Sequence, residues 1–366
     1  MIKAASAKTK SPRLSDVAKA AGVSQGTASN VFSRPELVRP EVRERVLAAA
    51  QSVGYAGPDP RGRMLRAGKV NAIGVATVEP LSVFFEDPYS RELMRGVTEA
   101  ADAAGAGVSL ISTVNPERLA WNIESALVDG FILSCIEGGE KLVELTKARQ
   151  LPFVAIDLGR PDKTIATIGI DDYGGASSAA QHLLDLGHRR FSVLSLEYND
   201  TELSGWAHPD QVGDAMYHTV RNRLRGYLET LAAAGIDASK VPVWASPSIA
   251  VRHRHPDLPL GLEQLFSGPD HPTALLAMSD RLALEALEWL DKRGFRVPEE
   301  ISVVGFDGVP EGETSQPPLT TMVQPIREIG RQAVTTILSP TAAIDEPRQD
   351  ILPLTLLVRG SSASPM

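Results

Sequence analysis

Residues 14–35 read LSDVAKAAGVSQGTASNVFSRP. Two short helical patterns flank the AGVS turn. The second is built from Ser24, Gln25, Gly26, Thr27, Ala28, Ser29 and Asn30, small and polar until Val31 and Phe32. A hydrophobic core would reject this set, and bulk water has no need of it. Ser15 or Asp16 suits the cap of a first helix whose apolar side holds Val17, Ala18 and Ala21. Gly22 supplies the turn, because glycine adopts positive φ at little cost. Ser24 then caps the second helix by accepting an orphan backbone N–H. Thr27, Ala28 and Val31 share one face and are expected to pack on the first helix, which leaves Gln25, Gly26, Ser29 and Asn30 outward. Small side chains let a helix lie deep in the DNA major groove. Gln and Asn can pair with adenine through two hydrogen bonds, and Ser contacts several bases. A third helix begins at Pro40, which suits a first turn. Val42, Val46, Leu47 and Ala50 are its expected inner stripe, and Arg43 and Arg45 remain for phosphates. The stretch predicts a three-helix DNA-binding head.

The charge distribution agrees. Residues 1–69 hold 13 Lys and Arg against 5 Asp and Glu, and the remainder of the 366-residue chain carries 24 against 40. A head of net +8 on a body of net −16 suits a head that meets a polyanion and a body that does not. The first residues, MIKAASAKTKSPR, lack an apolar stretch, so no secretory leader is expected. No run of about 18 apolar residues is present, so no membrane span or membrane partner is expected. A single cysteine, Cys135, lies in the apolar run GFILSCI and reads as a small buried hydrophobe. It permits no internal disulfide, which suits a reducing cytoplasm.

The pattern D-V-A-x-x-A-G-V-S-x-x-T-x-S-x-V is carried by Asp16, Val17, Ala18, Ala21, Gly22, Val23, Ser24, Thr27, Ser29 and Val31. With Arg43, Val46, Ala49 and Gly54-Tyr55 it resembles the helix-turn-helix of the lactose-repressor (LacI) family of bacterial transcription regulators. The resemblance extends to about residue 358. It implies a helix-turn-helix domain over 1–57, a hinge over 58–69 that folds on DNA, and an effector-binding and dimerisation core over 70–366. By that resemblance Leu65, with Met64 beside it, wedges into the minor groove, while Arg61 and Arg63 reach phosphates. Gly62 stands where the family usually has alanine, and glycine weakens a helix by about 1 kcal/mol. Asn30 occupies a position where relatives often carry Arg, so operator preference should differ there.

From Asn71 the periodicity changes. Apolar runs such as AIGVATV, VSLIST, FILSCI, PFVAIDL, FSVLSL and ISVVGFD alternate with amphipathic helical stretches. Alternating β and α predicts an α/β architecture of parallel sheets with helices on both faces. The units are too many for one sheet, so two lobes are expected. The resemblance implies a periplasmic-binding-protein-like core with an amino lobe of about 70–168 plus 325–341 and a carboxy lobe of about 169–324 plus 342–358. The chain would cross near 168, 324 and 342.

Open α/β sheets bind ligands at the carboxyl ends of their strands. This singles out Asp157 after PFVAI, Ser279 and Asp280 after TALLAM, and Asp307 at the end of ISVVGFD. Each aspartate could instead cap a helix or turn, a reading that suits Asp280 and Asp172. Arg223 in RLRGY and Asp307 match family positions that hold the effector, and Gln324 falls at a crossover. The loop VEPLSVFFEDPYSRELMRG adds Phe85 and Asp87; Phe84 and Phe85 either stack on a ring or pack. Residues 197–220 are long before RLRGY, and Trp206 within them could lid the site. Several Asp with one Arg suit a neutral polyhydroxylated effector.

No P-loop, dinucleotide-binding, zinc-protease, nucleophile-elbow or C-x-x-C motif occurs. His253 and His255 lack companions for a metal site. The expectation is therefore a cytoplasmic transcription regulator without cofactor, metal or catalytic residues. It would act as a homodimeric repressor on a pseudo-palindromic double-stranded DNA operator, controlled by a sugar or related metabolite. The alternatives are a nucleoside, purine or other non-sugar effector, or an enzyme or solute-binding protein on the same core.

Overall fold

The computed structural model describes residues 12–58, 68–134, 136, 139–159, 162–197, 205–207, 215, 217–246, 257–339 and 347–366. Arg61, Arg63, Met64, Leu65, Cys135, His253 and His255 lie outside them. The chain divides into two units, 1–70 and 71–366.

The first unit holds helices α1 (Leu14–Ala21), α2 (Gln25–Ser33) and α3 (Pro40–Ser52). Helix α1 starts one residue ahead of the expected cap, with Arg13 at its boundary. Asp16 still serves the terminus, because its carboxylate accepts from the Arg13 backbone N–H at 2.8 Å. Gly22 turns the chain with φ 63°. Val17, Ala18, Ala21, Ala28, Val31, Val46 and Ala50 form a small core. Leu47 departs from the expected stripe and is 45% exposed. Val42, Val46 and Ala50 repeat at four-residue spacing, and Leu47 stands about 100° around the helix from Val46.

The second unit contains two sheets. One consists of β1 (Ala72–Thr77), β2 (Gly107–Ser112), β3 (Gly130–Ser134), β4 (Phe153–Ile156), β5 (Ala166–Ile170) and β12 (Gln349–Leu352), in the order β12-β5-β4-β3-β1-β2 and parallel throughout. The other orders β13-β11-β10-β9-β6-β8-β7. Its members are β6 (Phe191–Ser195), β7 (Gly205–Ala207), β8 (Val243–Ala245), β9 (Ala274–Ala277), β10 (Ser302–Asp307), β11 (Thr320–Val323) and β13 (Thr355–Leu357), with β7 and β13 antiparallel at the edges. Helices α4 (Pro88–Ala103), α5 (Pro116–Ser125), α6 (Glu140–Ala148) and α11 (Ile326–Leu338) belong with the first sheet. Helices α7 (Asp172–Asp185), α8 (His218–Ala233), α9 (Leu258–Leu265) and α10 (Asp280–Lys292) belong with the second.

The chain thus crosses between lobes after Ile170, after Val323 and between Leu352 and Thr355. The last crossing falls later than the 342 read from sequence, and β12 stays in the amino lobe. The first falls just after the expected 168. Pro353 offers no N–H to a ladder, so the run ILPLTLL cannot continue as one strand. The carboxy lobe also extends past 358. Ser361 accepts from the Thr320 N–H at 2.8 Å, and the Val303 N–H donates to the Ser361 carbonyl at 2.8 Å.

Helices α4 and α11 cross at backbone contact. A Cβ on Gly96 would lie 2.0 Å from the Arg327 carbonyl oxygen, and one on Gly330 would lie 2.5 Å from that of Leu93. Buried Glu92 braces the same crossing by accepting from Arg327 Nε at 2.5 Å. Gly96→Ala must push the helices apart and is expected to cost about 3 kcal/mol. Chemical denaturation would measure it; an unchanged midpoint would show that the crossing yields freely.

Candidate functional site

In the first unit, the Ser24 hydroxyl accepts from the Thr27 N–H at 3.1 Å and meets the Thr27 hydroxyl at 2.9 Å. Both hydroxyls are occupied in the cap, while Gln25, Gly26 and Asn30 are exposed on α2. Ser29 is half-buried. Arg43 and Arg45 are exposed on α3. The helix therefore offers Gln25 and Asn30 as its long polar reach, with Gly26 leaving room between them for close approach.

In the second unit, the carboxyl ends of strands from both sheets converge on one cavity of about 290 Å³. Val78 and Glu79 follow β1, Ser134 ends β3 and Asp157 follows β4. From the other lobe, Leu196 and Glu197 follow β6, Ser279 follows β9, Asp307 ends β10 and Gln324 follows β11. The volume lies near the lower end of the range for small-molecule pockets.

Arg223 on α8 is buried and held through Nε and Nη1. Its Nε donates to Asp172 Oδ1 at 2.7 Å, and Nη1 donates to the Met278 carbonyl oxygen. Asp307 Oδ1 lies 3.8 Å from Nη1, and the guanidinium stacks 3.7 Å from the Phe306 ring centre. Asp307 also accepts from Gln324 Nε2 at 2.8 Å and from the Asp280 N–H at 3.2 Å. Burial pushes the Asp307 carboxyl well above the usual carboxylate range; Arg223 opposes that shift, and Asp280 and Asp87 add to it. Asp157 and Asp307 both have positive φ, 50° and 132°. Such backbone costs about 1–3 kcal/mol in a residue other than glycine and collects at functional sites.

Of the cleft residues named from sequence, Asp87, Asp157, Arg223, Ser279, Asp307 and Gln324 line the cavity, and Phe85 and Asp280 do not. Phe85 is 68% exposed, whereas its neighbour Phe84 is buried in the core. One helical turn, Val83–Glu86, separates them by 100°, so only one can face inward. Asp280 is 0% exposed and does not line the cavity. It accepts from the Gly308 and Val309 N–H groups at 2.7 and 2.8 Å and from the Thr321 hydroxyl at 2.5 Å, so it holds the backbone beyond Asp307. Asp172 is not the helix cap; Asp171 fills that role by accepting from the Gly174 N–H at 2.9 Å, and Asp172 is the ion partner of Arg223. Trp206 lies on β7, edge-on to Trp244 with centroids 5.1 Å apart, and its Nε1 donates to Gln264 at 2.8 Å. It packs on the sheet edge and does not line the cavity.

Sequence reasoning missed Glu79, Glu197, Tyr217 and Arg281 in the lining. Glu79 and Glu197 each sit two residues past β1 and β6, so the strand-end rule could have found them. Arg281 reaches between Asp87, 3.9 Å from its Nη1, and Glu285, 3.6 Å from its Nε; its buried Nη2 has no protein partner.

Residues 13–57 match the description "Bacterial regulatory proteins, lacI family", and residues 180–362 match "Periplasmic binding protein-like domain". The chain is 33% identical over 357 residues to the HTH-type transcriptional regulator Rv3575c of Mycobacterium tuberculosis, spanning 96% of this chain and 97% of that protein. The chain belongs to the LacI family of bacterial regulators. This LacI-family regulator is also similar to a solved transcriptional regulator CelR–cellobiose complex, with TM-score 0.68 and 27% identity over 96% of this chain and 100% of that one. A lac repressor dimer bound to operator and the anti-inducer ONPF matches with TM-score 0.74 and 24% identity over 97% and 100%, a likeness of fold alone. As a LacI-family transcriptional regulator it joins a helix-turn-helix head to an effector-binding core. Among the described residues no helix is long and apolar enough to cross a membrane.

Proposed function

We propose that this regulator is a cytoplasmic repressor that binds a pseudo-palindromic operator as a homodimer, and that a small hydroxyl-rich effector, of sugar type, binds between the core lobes. The observation that carries the effector reading is the array of Arg223, Asp307 and Gln324 beside Asp157 at the strand ends of one inter-lobe cavity. Carboxylates accept from hydroxyls, and the amide adds an acceptor and a donor. CelR, named in complex with cellobiose, lends support to the sugar class. The HTH-type transcriptional repressor PurR of Haemophilus influenzae, 29% identical over 361 residues, lends support to repression.

Two heads spaced about one DNA turn apart read two half-sites, and the palindrome mirrors the two-fold axis. Gln25 and Asn30 read base edges, and Ser24, Gly26, Thr27 and Ser29 shape the close approach. Leu65, Met64, Arg61 and Arg63 complete the proposed contact through the hinge. An effector that binds the two lobe arrangements unequally shifts operator affinity, as thermodynamic linkage requires.

The test begins with selection of bound sequences from a random DNA pool, followed by affinity measurements at fixed salt. A palindromic consensus is expected. Gln25→Ala should cost about 1–3 kcal/mol at one base pair of each half-site. Uniform weakening across the operator would remove Gln25 as a base reader. Operator affinity unmoved by any ligand that binds the core would refute effector control.

A further inference from the structure

Among the described residues the cavity is lined by six carboxylates, Glu79, Glu86, Asp87, Asp157, Glu197 and Asp307, and by two guanidiniums, Arg223 and Arg281. Both guanidiniums stand among carboxylates. Arg223 is held by Asp172, the Met278 carbonyl, Asp307 and the face of Phe306. Arg281 is bracketed by Asp87 at 3.9 Å and Glu285 at 3.6 Å, and its buried Nη2 has no partner among the described residues. On the amino-lobe wall, burial and then the nearby Asp87 push the Glu79 carboxyl up. A second observation points the same way. Gln324 is only 4% exposed and lines the cavity. Its Nε2 donates to Asp307, and its Oε1 is buried without a partner among the described residues, an acceptor in need of a donor.

We infer that the cleft selects its effector by charge. It takes a hydroxyl-rich molecule bearing no phosphate or carboxylate, and it accepts an ammonium in place of a hydroxyl beside Glu79 and Asp87. This inference rests on the cleft being the effector site. An anion entering the cavity meets like charge, since carboxylates outnumber guanidiniums among the described lining residues, and such a juxtaposition rejects the wrong partner. A hydroxyl or ammonium supplies the donors that Gln324 Oε1 and the carboxylates accept.

The experiment uses the full-length protein in calorimetric and thermal-shift titrations with matched triplets: a parent sugar or cyclitol, its amino-deoxy derivative and its phosphate ester. The triplets are built on glucose, ribose, inositol and cellobiose. For any parent that binds, the phosphate ester should be weaker by about a hundredfold or more, and the amino derivative equal or tighter. Glu79→Gln, which keeps the shape and removes the charge, should lower the ratio of amine to parent affinity by about tenfold. A phosphate ester that binds as well as its parent, or an affinity ratio untouched by Glu79→Gln, overturns the charge selection. Binding of every triplet member that survives Arg223→Ala, or no binding by any member, overturns the effector-site reading beneath it.

Discussion

Arg223→Ala is expected to abolish the response of operator binding to effector and to lower the stability of the core by about 3–5 kcal/mol. The substitution leaves Asp172 and Asp307 buried side by side with no counter-charge, and it exposes the Phe306 face and the Met278 carbonyl that the guanidinium covers. Removing one partner of a buried charge network costs more than the network contributes in place, because the remaining ions are stranded. Arg223→Lys separates the two consequences. It keeps a positive charge between the aspartates but cannot form the planar contacts, so stability should recover in part while effector affinity stays low. Thermal unfolding with and without ligand, and operator titration under the same conditions, would read both. A full effector response in the alanine variant would remove Arg223 from the site.

Asp280→Ala should be nearly as damaging by a different route. Asp280 does not line the cavity, yet it accepts from two backbone N–H groups and the Thr321 hydroxyl around the turn that follows Asp307. Its loss leaves buried donors unsatisfied at about 1–3 kcal/mol each, so a total of about 3–5 kcal/mol is expected. The positive φ of Asp307 depends on this support, since strained backbone persists only where its surroundings over-determine it. Effector affinity should therefore fall with stability, and Asp280→Asn, which retains one acceptor oxygen, should fall between the two. Calorimetric titration below the unfolding range checks this. Unchanged affinity in a destabilised Asp280→Ala protein would show that the Asp307 turn holds without it.

The contrast between Asp280 and Asp307 marks how far the sequence could be read. Both follow or end an apolar strand, and both look like strand-end ligands. One lines the cavity and the other braces it from behind, a distinction set by which side of the turn each carboxylate faces. Phe84 and Phe85 pose the same problem within a single turn of helix. In the head, by contrast, the reading of α2 needed only local chemistry: Ser24 at the cap, Gly22 at positive φ, Ala28 and Val31 inward, and Gln25 and Asn30 outward.

Legible in the chain alone are properties that act over a few residues: helix caps, the alternation of strands and helices, the strand-end positions of Asp157, Ser279 and Asp307, and the basic head on an acidic body. Tertiary structure alone decided that Arg223 pairs with Asp172 across 51 residues, that Arg281 reaches Asp87 from the opposite lobe, and that β12 and β13, two residues apart, belong to different sheets. The physical reason is that local chemistry selects backbone conformation. The partner of a buried charge, and the sheet a strand joins, depend on strand order and on how the lobes fold back over one another.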